Sequence, residues 1–202
     1  MADLRHPPVE RLAAADRADV LVVVDNATDS LSTNPPDVRA ELPQLVERGM
    51  KEWAGEHMGI AHHGLSLLVT AHHGDRRSTI LFDAGPEGYA FERNARQLHA
   101  DLGAAEALVL SHGHWDHSGG LLRAVELIRK ASGREVPVHV HPGMFRRRGM
   151  RMPSGAVVPF QDVPTPAQIE GVGGRVHAAS APQLLGGGAF FLSGEIPRVT
   201  IY

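Results

Sequence analysis

The 202-residue sequence contains no cysteine. Disulfides, iron–sulfur clusters and thiolate zinc sites are therefore excluded, because each of them requires cysteine sulfur. A protein without disulfide chemistry is typical of a reducing compartment, so we expect a cytoplasmic location. Any metal ion that this chain binds must be held by nitrogen and oxygen donors, which means mainly histidine and carboxylate side chains.

Long apolar runs and a strong excess of either charge are also missing. No segment approaches the roughly 18 apolar residues of a membrane span, and residues 1–19 lack the apolar core of a signal peptide. Twenty Lys and Arg against 23 Asp and Glu give a formal net charge of −3. Bulk charge therefore gives no reason to expect a nucleic-acid or membrane partner, and we expect a small-molecule substrate.

Apolar segments typical of strands alternate with amphipathic segments typical of helices. Strands are predicted at residues 20–24, 65–70, 78–82, 107–110 and 136–140, and helices at residues 87–102 and 118–132. This order predicts βαβ units in an α/β layered domain, which we take to extend over residues 1–202. The turn of a hairpin is predicted at residues 72–75, and shorter strands near residues 157–158, 175–179 and 189–192.

The segment that follows strand 107–110 carries most of the chemical information. It reads Ser-His-Gly-His-Trp-Asp-His over residues 111–117 and offers four metal donors, His112, His114, Asp116 and His117. In an extended loop His112 and His114 point the same way and can hold one ion. Asp116 and His117 then face a position about 3.5–4 Å away, where a second ion can lie. Two divalent ions are expected, zinc first, with iron, manganese or magnesium also compatible.

Two alternatives to this metal site remain: a surface loop that is rich in histidine by chance, and the same loop on an unrelated metal protein. The residues after the loop favour a functional site. Ser118 can cap the next helix, and Gly119 and Gly120 would allow an anionic substrate group to approach the backbone at the helix N-terminus. No glycine-rich phosphate loop and no nucleophile elbow accompanies the motif.

The sequence SHGHWDHSGGL over residues 111–121 resembles the metal-binding motif of the metallo-β-lactamase superfamily. Residues 81–85, LFDAG, resemble an earlier strand-end motif of that superfamily. The resemblance implies that Asp83 orients a ligand of the loop and does not bind metal. It also implies that Asp116 binds the second ion and acts as a catalytic residue that helps to handle a proton. The implied fold is a four-layer αβ/βα sandwich of two halves.

A narrower resemblance is to the branch of dihydropterin–ribofuranosylaminobenzene phosphate synthases, which act in the biosynthesis of methanopterin-type cofactors. It is carried by Val24-Asp-Asn26, His63-Gly-Leu-Ser66, the loop motif and Ser193-Gly-Glu-Ile-Pro-Arg198. The resemblance implies a metal-dependent hydrolase or a pterin-type transferase that acts on a phosphorylated or pyrophosphorylated small molecule. It also implies that His63 lies near the site and binds substrate; a packing role is the alternative.

The sequence departs from this pattern at its C-terminal end. Superfamily members carry further metal ligands in their second half, and this sequence ends at Tyr202, before the place where they are expected. We therefore expect the N-terminal half of the sandwich plus the start of the second half. The competing hypothesis is a non-catalytic metal-binding fragment or half-domain that needs a partner chain or forms a homo-oligomer.

Several other side chains are weaker candidates. Arg146, Arg147 and Arg148 could clamp a substrate phosphate, although a solvated loop is the plain alternative. His139 and His141 alternate on a strand and could flank a site, against the alternative of a partly exposed strand face. His72 and His73 fall in the predicted hairpin turn, where we expect them to be solvated.

Overall fold

The structure is a computed structural model that describes residues 12–197. Six of its strands form one sheet, in the order β1-β2-β3-β4-β5-β8. The strands are β1 Arg17–Val24, β2 Ser66–His73, β3 Arg76–Phe82, β4 Ala105–Val109, β5 Val136–Val140, β6 Gly149–Arg151, β7 Val157–Pro159, β8 Gly174–Ala178, β9 Gln183–Leu185 and β10 Phe190–Leu192. The first three strands of the sheet pair antiparallel, while β3, β4, β5 and β8 run parallel to one another.

Helices cover one face of this sheet. The α-helices are α1 Glu41–Glu47, α2 Gly88–Gln97, α3 Trp115–Ser118, α4 Leu121–Ser132 and α5 Pro166–Gly171. The main core lies between the sheet and α2, α4 and α5, where Leu81 and Leu108 of the strands meet Phe91 of α2 and Val125 of α4. All four of these side chains are fully buried, so the parallel strands are anchored mainly from this side.

The opposite face carries a smaller apolar cluster of Ile80, Ala107 and Val109. Side chains from β9 and β10 pack against it, among them Leu185 and Phe190. Towards β1 the same face is open, because Val22 of β1 is 46% exposed. Residues 12–197 thus contain one six-stranded sheet with helices on one face and the β9–β10 hairpin on the other, while β6 and β7 form a separate two-stranded sheet.

These elements confirm the predicted α/β fold. Helix α4 follows the predicted spacing, and Gly133 ends it with a left-handed φ of 69° while its N–H donates to the carbonyl of Arg129. Helix α2 is shorter than predicted, since it ends at Gln97 and His99 adopts a φ of 52°. That backbone conformation is incompatible with a continuing α-helix. The prediction of one domain over residues 1–202 stays a prediction, because residues 1–11 and 198–202 lie outside the described part.

The hairpin between β2 and β3 is tighter than predicted. Strand β2 continues through His73, so only Gly74 and Asp75 form the turn, and Gly74 has a φ of 57°. The expectation that His72 is solvated is wrong: its side chain is 13% exposed and its Nε2 lies 2.8 Å from Asp19 Oδ2. Strand β1 pairs with β2 up to His72, with Arg17 opposite it, and this pairing brings Asp19 next to the imidazole.

Among the described residues, no helix is both long and apolar enough to cross a lipid bilayer.

Candidate metal centre

The four predicted metal donors lie at the carboxyl end of β4, between the sheet and α4. Because β3 and β4 are parallel neighbours, the segments that follow them meet at the same edge of the sheet. Asp83 follows β3, and Ser111 opens the loop after β4. His114 is the N-cap of the one-turn helix α3, which places Asp116 and His117 on a turn of their own.

Ser118 does not cap the following helix, so that prediction is wrong. It is the last residue of α3, and its hydroxyl donates to the carbonyl of His114 at 2.9 Å. The N-cap of α4 is Gly120, which has no side chain to offer. The predicted helix therefore begins three residues later, at Leu121, and Ser118 belongs to the preceding helix α3.

The buried carboxylate of Asp83 holds the loop in place. Asp83 is 0% exposed, and its Oδ1 accepts the N–H of Ser111 at 2.7 Å. Its Oδ2 accepts the hydroxyl of Ser111 at 2.7 Å and lies 2.7 Å from Nδ1 of His117. Asp83 has a φ of 58°, a left-handed conformation that costs a non-glycine residue about 1–2 kcal/mol. These charge-assisted hydrogen bonds offset that cost.

The same hydrogen bonds decide which nitrogen of each imidazole carries a proton. His117 Nδ1 must donate to Asp83, because an ionised carboxylate only accepts. The hydroxyl of Ser111 is also used as a donor to Asp83, so His112 Nδ1, 2.9 Å from that oxygen, must be the donor in their hydrogen bond. In this assignment both His112 and His117 keep an unprotonated Nε2, the form in which histidine binds metal.

Electrostatics also favour a neutral His112. Burial, followed by the nearby imidazoles of His117 and His114, lowers the pKa of His112 below its ordinary value. The ring centroids of His112 and His114 are 4.6 Å apart, and those of His112 and His117 are 4.3 Å apart. Three imidazoles therefore share one small volume, which is one cause of the lowered pKa of His112.

Asp116 completes the predicted set. Its carboxylate Oδ2 lies 3.5 Å from Nε2 of His117, and its side chain is 17% exposed. The donor types fit a divalent ion of the zinc, iron or manganese class. Within residues 12–197, however, no three His, Asp or Glu side chains meet the geometry of a metal site. The four donors are close neighbours, and their assignment as metal ligands stays a prediction.

His63 lies beside this set. Its Nε2 is 3.6 Å from Asp116 Oδ2, and its ring centroid is 5.8 Å from that of Trp115. Residues 64 and 65 fix the backbone here, since a Cβ on Gly64 would overlap the carbonyl oxygen of Asp116, and the N–H of Leu65 donates to that oxygen at 3.4 Å. The predicted position of His63 near the site agrees with these distances, and its role as a substrate-binding residue remains untested.

The arginine cluster divides into three different environments. Arg148 donates through Nη1 to the carbonyls of Met144 and Gly113, at 2.8 and 3.3 Å, and through Nη2 to that of Gly143 at 2.7 Å. These bonds use most of the N–H groups of its guanidinium. They connect the turn at residues 143–144, which follows β5, to Gly113 in the loop of residues 111–117, called the metal loop below. Arg147 is 88% exposed, with its Nε 3.7 Å from Asp162 Oδ2. Arg146 is exposed and is the member with the most freedom to act as the predicted phosphate clamp.

Gly119 and Gly120 have a packing role that the sequence did not show. A Cβ on Gly119 would overlap the carbonyl oxygen of Pro86, and one on Gly120 would overlap that of Ala84. Their N–H groups are also in use, donating to Trp115 and Gly85. The expectation that an anionic substrate group approaches the backbone at these glycines is therefore wrong, since other backbone already fills the space.

A second histidine cluster lies on neighbouring strands and was missed by the sequence. His139 of β5 faces His177 of β8 in register, and the rings stack with centroids 4.9 Å apart. His139 Nδ1 lies 3.1 Å from Gln183 Oε1. His139 is 8% exposed and His177 half-buried, so the expected partly exposed strand face is wrong for His139. Only the alternation of His139 along β5 hinted at this pair.

His141 occupies a third position, at the start of a turn. Its Nδ1 accepts the N–H of Gly143 at 3.0 Å, so the proton is on Nε2, which lies 3.6 Å from Glu195 Oε2. Glu195 belongs to the Ser193–Arg198 motif, of which Arg198 lies outside the described residues.

A cavity of about 420 Å³, lined by residues such as Leu45 and His99, shares no lining residue with the metal loop.

Comparison with known proteins identifies the family. The model of the metallo-beta-lactamase superfamily matches residues 59–201. The 7,8-dihydropterin-6-methyl-4-(beta-D-ribofuranosyl)-aminobenzene-5'-phosphate synthase of Methanocaldococcus jannaschii is 30% identical over 136 residues, which cover 67% of this chain and 45% of that protein. An uncharacterized protein of the same organism is 38% identical over 66 residues, 33% of this chain and 24% of that protein. The matched region thus spans less than half of either relative.

Solved structures give weaker likenesses. A subclass B3 metallo-beta-lactamase isolated from a soil metagenome library is 22% identical, with a TM-score of 0.33 over 61% of this chain and 44% of that one. The metallo-beta-lactamase MIM-1 from Novosphingobium pentaromativorans is 20% identical, with a TM-score of 0.34 over 71% of this chain and 53% of that one. The assignment rests on the family model, which covers well over half of the sequence: the chain belongs to the metallo-beta-lactamase superfamily.

Proposed function

We propose that this chain supplies donors to a two-ion metal centre in an enzyme that acts on a phosphorylated or pyrophosphorylated small molecule. The observation that carries the proposal is the network in which Asp83 and Ser111 hold His117 and His112 with Nε2 unprotonated. A buried carboxylate behind a histidine fixes the ring and makes it a better ligand.

The donors divide into two pairs. His112 and His114 would hold one ion, and Asp116 with His117 the other; the types of ligand favour zinc, with iron, manganese or magnesium as alternatives. Such ions, when bound, polarise a substrate and stabilise developing negative charge. Asp116 lies between the Nε2 atoms of His63 and His117 and can hold or pass on a proton at its carboxylate. Arg146 is exposed, and as part of this proposal its guanidinium would attract an anionic substrate.

The reaction is either a hydrolysis or a pterin-type transfer. The 30% identity to the dihydropterin synthase of Methanocaldococcus jannaschii supports the second class, over 45% of that protein. The cysteine-free sequence supports a cytoplasmic location as part of the same proposal.

A second candidate function is a non-catalytic metal-binding half that joins a partner chain or another copy of itself. It is favoured by the absence, within residues 12–197, of three side chains that meet the geometry of a metal site. The open part of the second sheet face supports it as well, since Val20 and Val22 are 55% and 46% exposed there.

Metal analysis of the purified chain tests both candidates. For an assembled site we expect close to two ions per chain, whereas one ion or fewer, lost on mild chelation, supports the incomplete half. His114→Ala should lower metal affinity by about tenfold or more, since losing even an outer partner of a ligand costs about 10–100-fold. His72→Ala is the matched control. His72 lies on β2 and contacts Asp19 of β1, and neither strand neighbours β4, so this substitution should leave metal content unchanged. Equal effects of the two substitutions would contradict the ligand assignment.

A further inference from the structure

We propose that one face of the β6–β7 hairpin is the apolar wall of a substrate subsite beside the metal loop. The side chains of this wall are Met150, Met152 and Val158, and they take a planar aromatic part of an anionic substrate. This inference rests on the proposed function and deepens it, because it names the class of substrate: an aromatic group joined to a phosphate or a similar anion.

The β6–β7 hairpin pairs with no other strand of residues 12–197. Its two strands form a sheet of their own, and every residue from Gly149 to Pro159 is exposed. Met150 is 53% exposed and Val158 is 50% exposed. An isolated hairpin is only marginally stable in water, and grouped apolar side chains on a surface mark a place of binding. The hairpin therefore offers a surface that a ligand can cover.

The base of the hairpin is attached to the metal loop. Arg148 Nη1 donates to the carbonyl of Gly113 at 3.3 Å, and the ring of Phe160 lies edge-on to that of His114 with centroids 5.6 Å apart. A Cβ on Gly113 would lie only 2.8 Å from the carbonyl oxygen of Met144. The N–H of Phe160 donates to the carbonyl of Arg148 at 2.9 Å. These two residues are thus a cross-strand pair whose side chains both contact the metal loop.

The register of the hairpin shows which side chains continue from this pair. Met150 lies opposite Val158, two residues farther along each strand. Residues two apart on a strand point to the same face. These side chains therefore lie on the face that Arg148 and Phe160 present to the metal loop. Met152, a further two residues along, extends the same face, so an apolar strip leads outwards from the metal loop.

The opposite face of the hairpin has a different character. Arg151 and Val157 lie opposite each other there, so that face carries a charge beside a single valine. At the tip, Gly155 has a φ of 85° and its N–H donates to the carbonyl of Met152 at 2.8 Å. This turn fixes the register and prevents the one-residue slip that would exchange the two faces.

The charge around the wall favours an anionic ligand. Residues 142–161 contain four arginines and neither aspartate nor glutamate. Arg146 and Arg147 are exposed and come just before the hairpin, and guanidinium groups bind phosphate oxygens through paired hydrogen bonds. Methionine side chains adapt to the shape of aromatic rings and make favourable sulfur contacts with them. The continuity of the strip with the metal loop favours a small-molecule substrate over a second copy of the chain.

Binding of an aromatic phosphonate to the full chain with zinc added tests this inference without any activity measurement. The probe is naphthylmethylphosphonate, and methylphosphonate is the matched ligand without the ring. The naphthyl compound should bind more tightly and should shift the NMR signals of the Met150 and Met152 methyl groups. The methyl signal of Met50, which lines the separate cavity, should stay in place.

Two neighbouring valines provide matched variants. Val158→Ser should weaken binding of the naphthyl compound by about three- to tenfold, because part of a valine contact is lost. Val157→Ser changes the same type of residue on the opposite face and should bind both ligands as the wild type does. Both valines are at least half exposed, so we expect both variants to fold.

The outcomes separate this inference from the proposed function. If the naphthyl compound binds no more tightly than methylphosphonate, the wall is wrong and the anion site stands. Equal weakening by the two valine variants, or no weakening by either, also overturns the wall. If the chain binds neither ligand, the proposed substrate class and the wall fall together. A dimer that Val158→Ser dissociates, as measured by sedimentation, would assign this face to a second copy and overturn the inference.

Discussion

Two histidine clusters lie on neighbouring strands of the same sheet, and they differ in the group to which Nδ1 of each imidazole is hydrogen-bonded. At the end of β4, the rings of His112 and His117 are connected through Nδ1 to the buried carboxylate of Asp83, directly or through Ser111. Across β5 and β8, His139 instead contacts the neutral amide of Gln183 and stacks on His177. Only the first cluster has a buried carboxylate, the group that would strengthen imidazoles as metal ligands.

This difference explains why the number of histidines is a poor guide to function. The chain has 13 histidines, and both clusters bring imidazoles within about 5 Å of one another. What distinguishes the candidate site is a fixed tautomer together with a neighbouring carboxylate, Asp116. The comparison can be tested by removing the partner behind each cluster in turn.

The largest effect is expected for Asp83→Ala. The substitution removes the acceptor of the N–H and hydroxyl of Ser111 and of Nδ1 of His117, in part-buried hydrogen bonds. We expect the free energy of unfolding to fall by about 1–3 kcal/mol, because neutral donors are left without their partner. Urea unfolding of the metal-free chain measures it, and zinc affinity should fall as well.

Asp83→Asn provides the control for this prediction. It keeps the shape of the side chain and one acceptor oxygen, so its loss of stability should lie between that of the wild type and that of Asp83→Ala. A stability for Asp83→Ala within error of the wild type would remove the basis of the comparison between the clusters.

A smaller effect is expected for Gln183→Ala in the second cluster. The lost hydrogen bond joins His139 to a neutral, half-buried amide, so the free energy of unfolding should fall by only about 1 kcal/mol. Zinc affinity should not change, because Gln183 contacts none of the loop histidines. If Gln183→Ala lowered zinc affinity as Asp83→Ala does, the two clusters would have to be treated as one site.

The smallest effect is a pH dependence of stability from His139. Burial is the main cause that lowers the pKa of His139, and the nearby His177 also lowers it, while the hydrogen bond to Gln183 acts in the opposite direction. Below the ordinary histidine pKa of 6.5, the unfolded chain therefore takes up a proton that folded His139 does not. Stability from this residue is fully present above pH 6.5 and is lost as the pH falls towards the folded pKa.

This dependence is measured as the change in unfolding free energy between about pH 8 and about pH 5.5, with His139→Gln as the comparison. The variant has no imidazole at this position, so its free energy should fall less steeply with acid. A decline as steep as that of the wild type would assign the acid sensitivity to other groups.

Local patterns were sufficient to predict the elements that position the site. Strands β3, β4 and β5 are short β-branched or apolar runs, and α4 has apolar residues at helical spacing with Gly133 at its end. The candidate donors of the loop were predicted from their types and spacing alone, and their role as metal ligands stays a prediction. Asp83 was found only through a resemblance, because nothing local links it to a segment 28 residues away.

Other features depend on contacts that sequence patterns do not encode. Helix α3 has four residues, which is too short to show a period. The stacking of His139 on His177 requires the register between β5 and β8, and these strands are separated by two further strands and a helix in sequence. Gly119 and Gly120 read as flexible or ligand-binding residues, whereas the carbonyl groups of Pro86 and Ala84 occupy the space beside them.

The glycine contacts limit how the metal loop could be transplanted into another scaffold. Gly64, Gly119 and Gly120 each press their backbone against a carbonyl of a different segment, so the loop keeps its shape through its surroundings. A graft of residues 111–121 alone would lose those supports and the carboxylate of Asp83. The smallest portable unit comprises three pieces of chain, residues 62–66, 81–87 and 110–121, and a protein engineer would have to move them together.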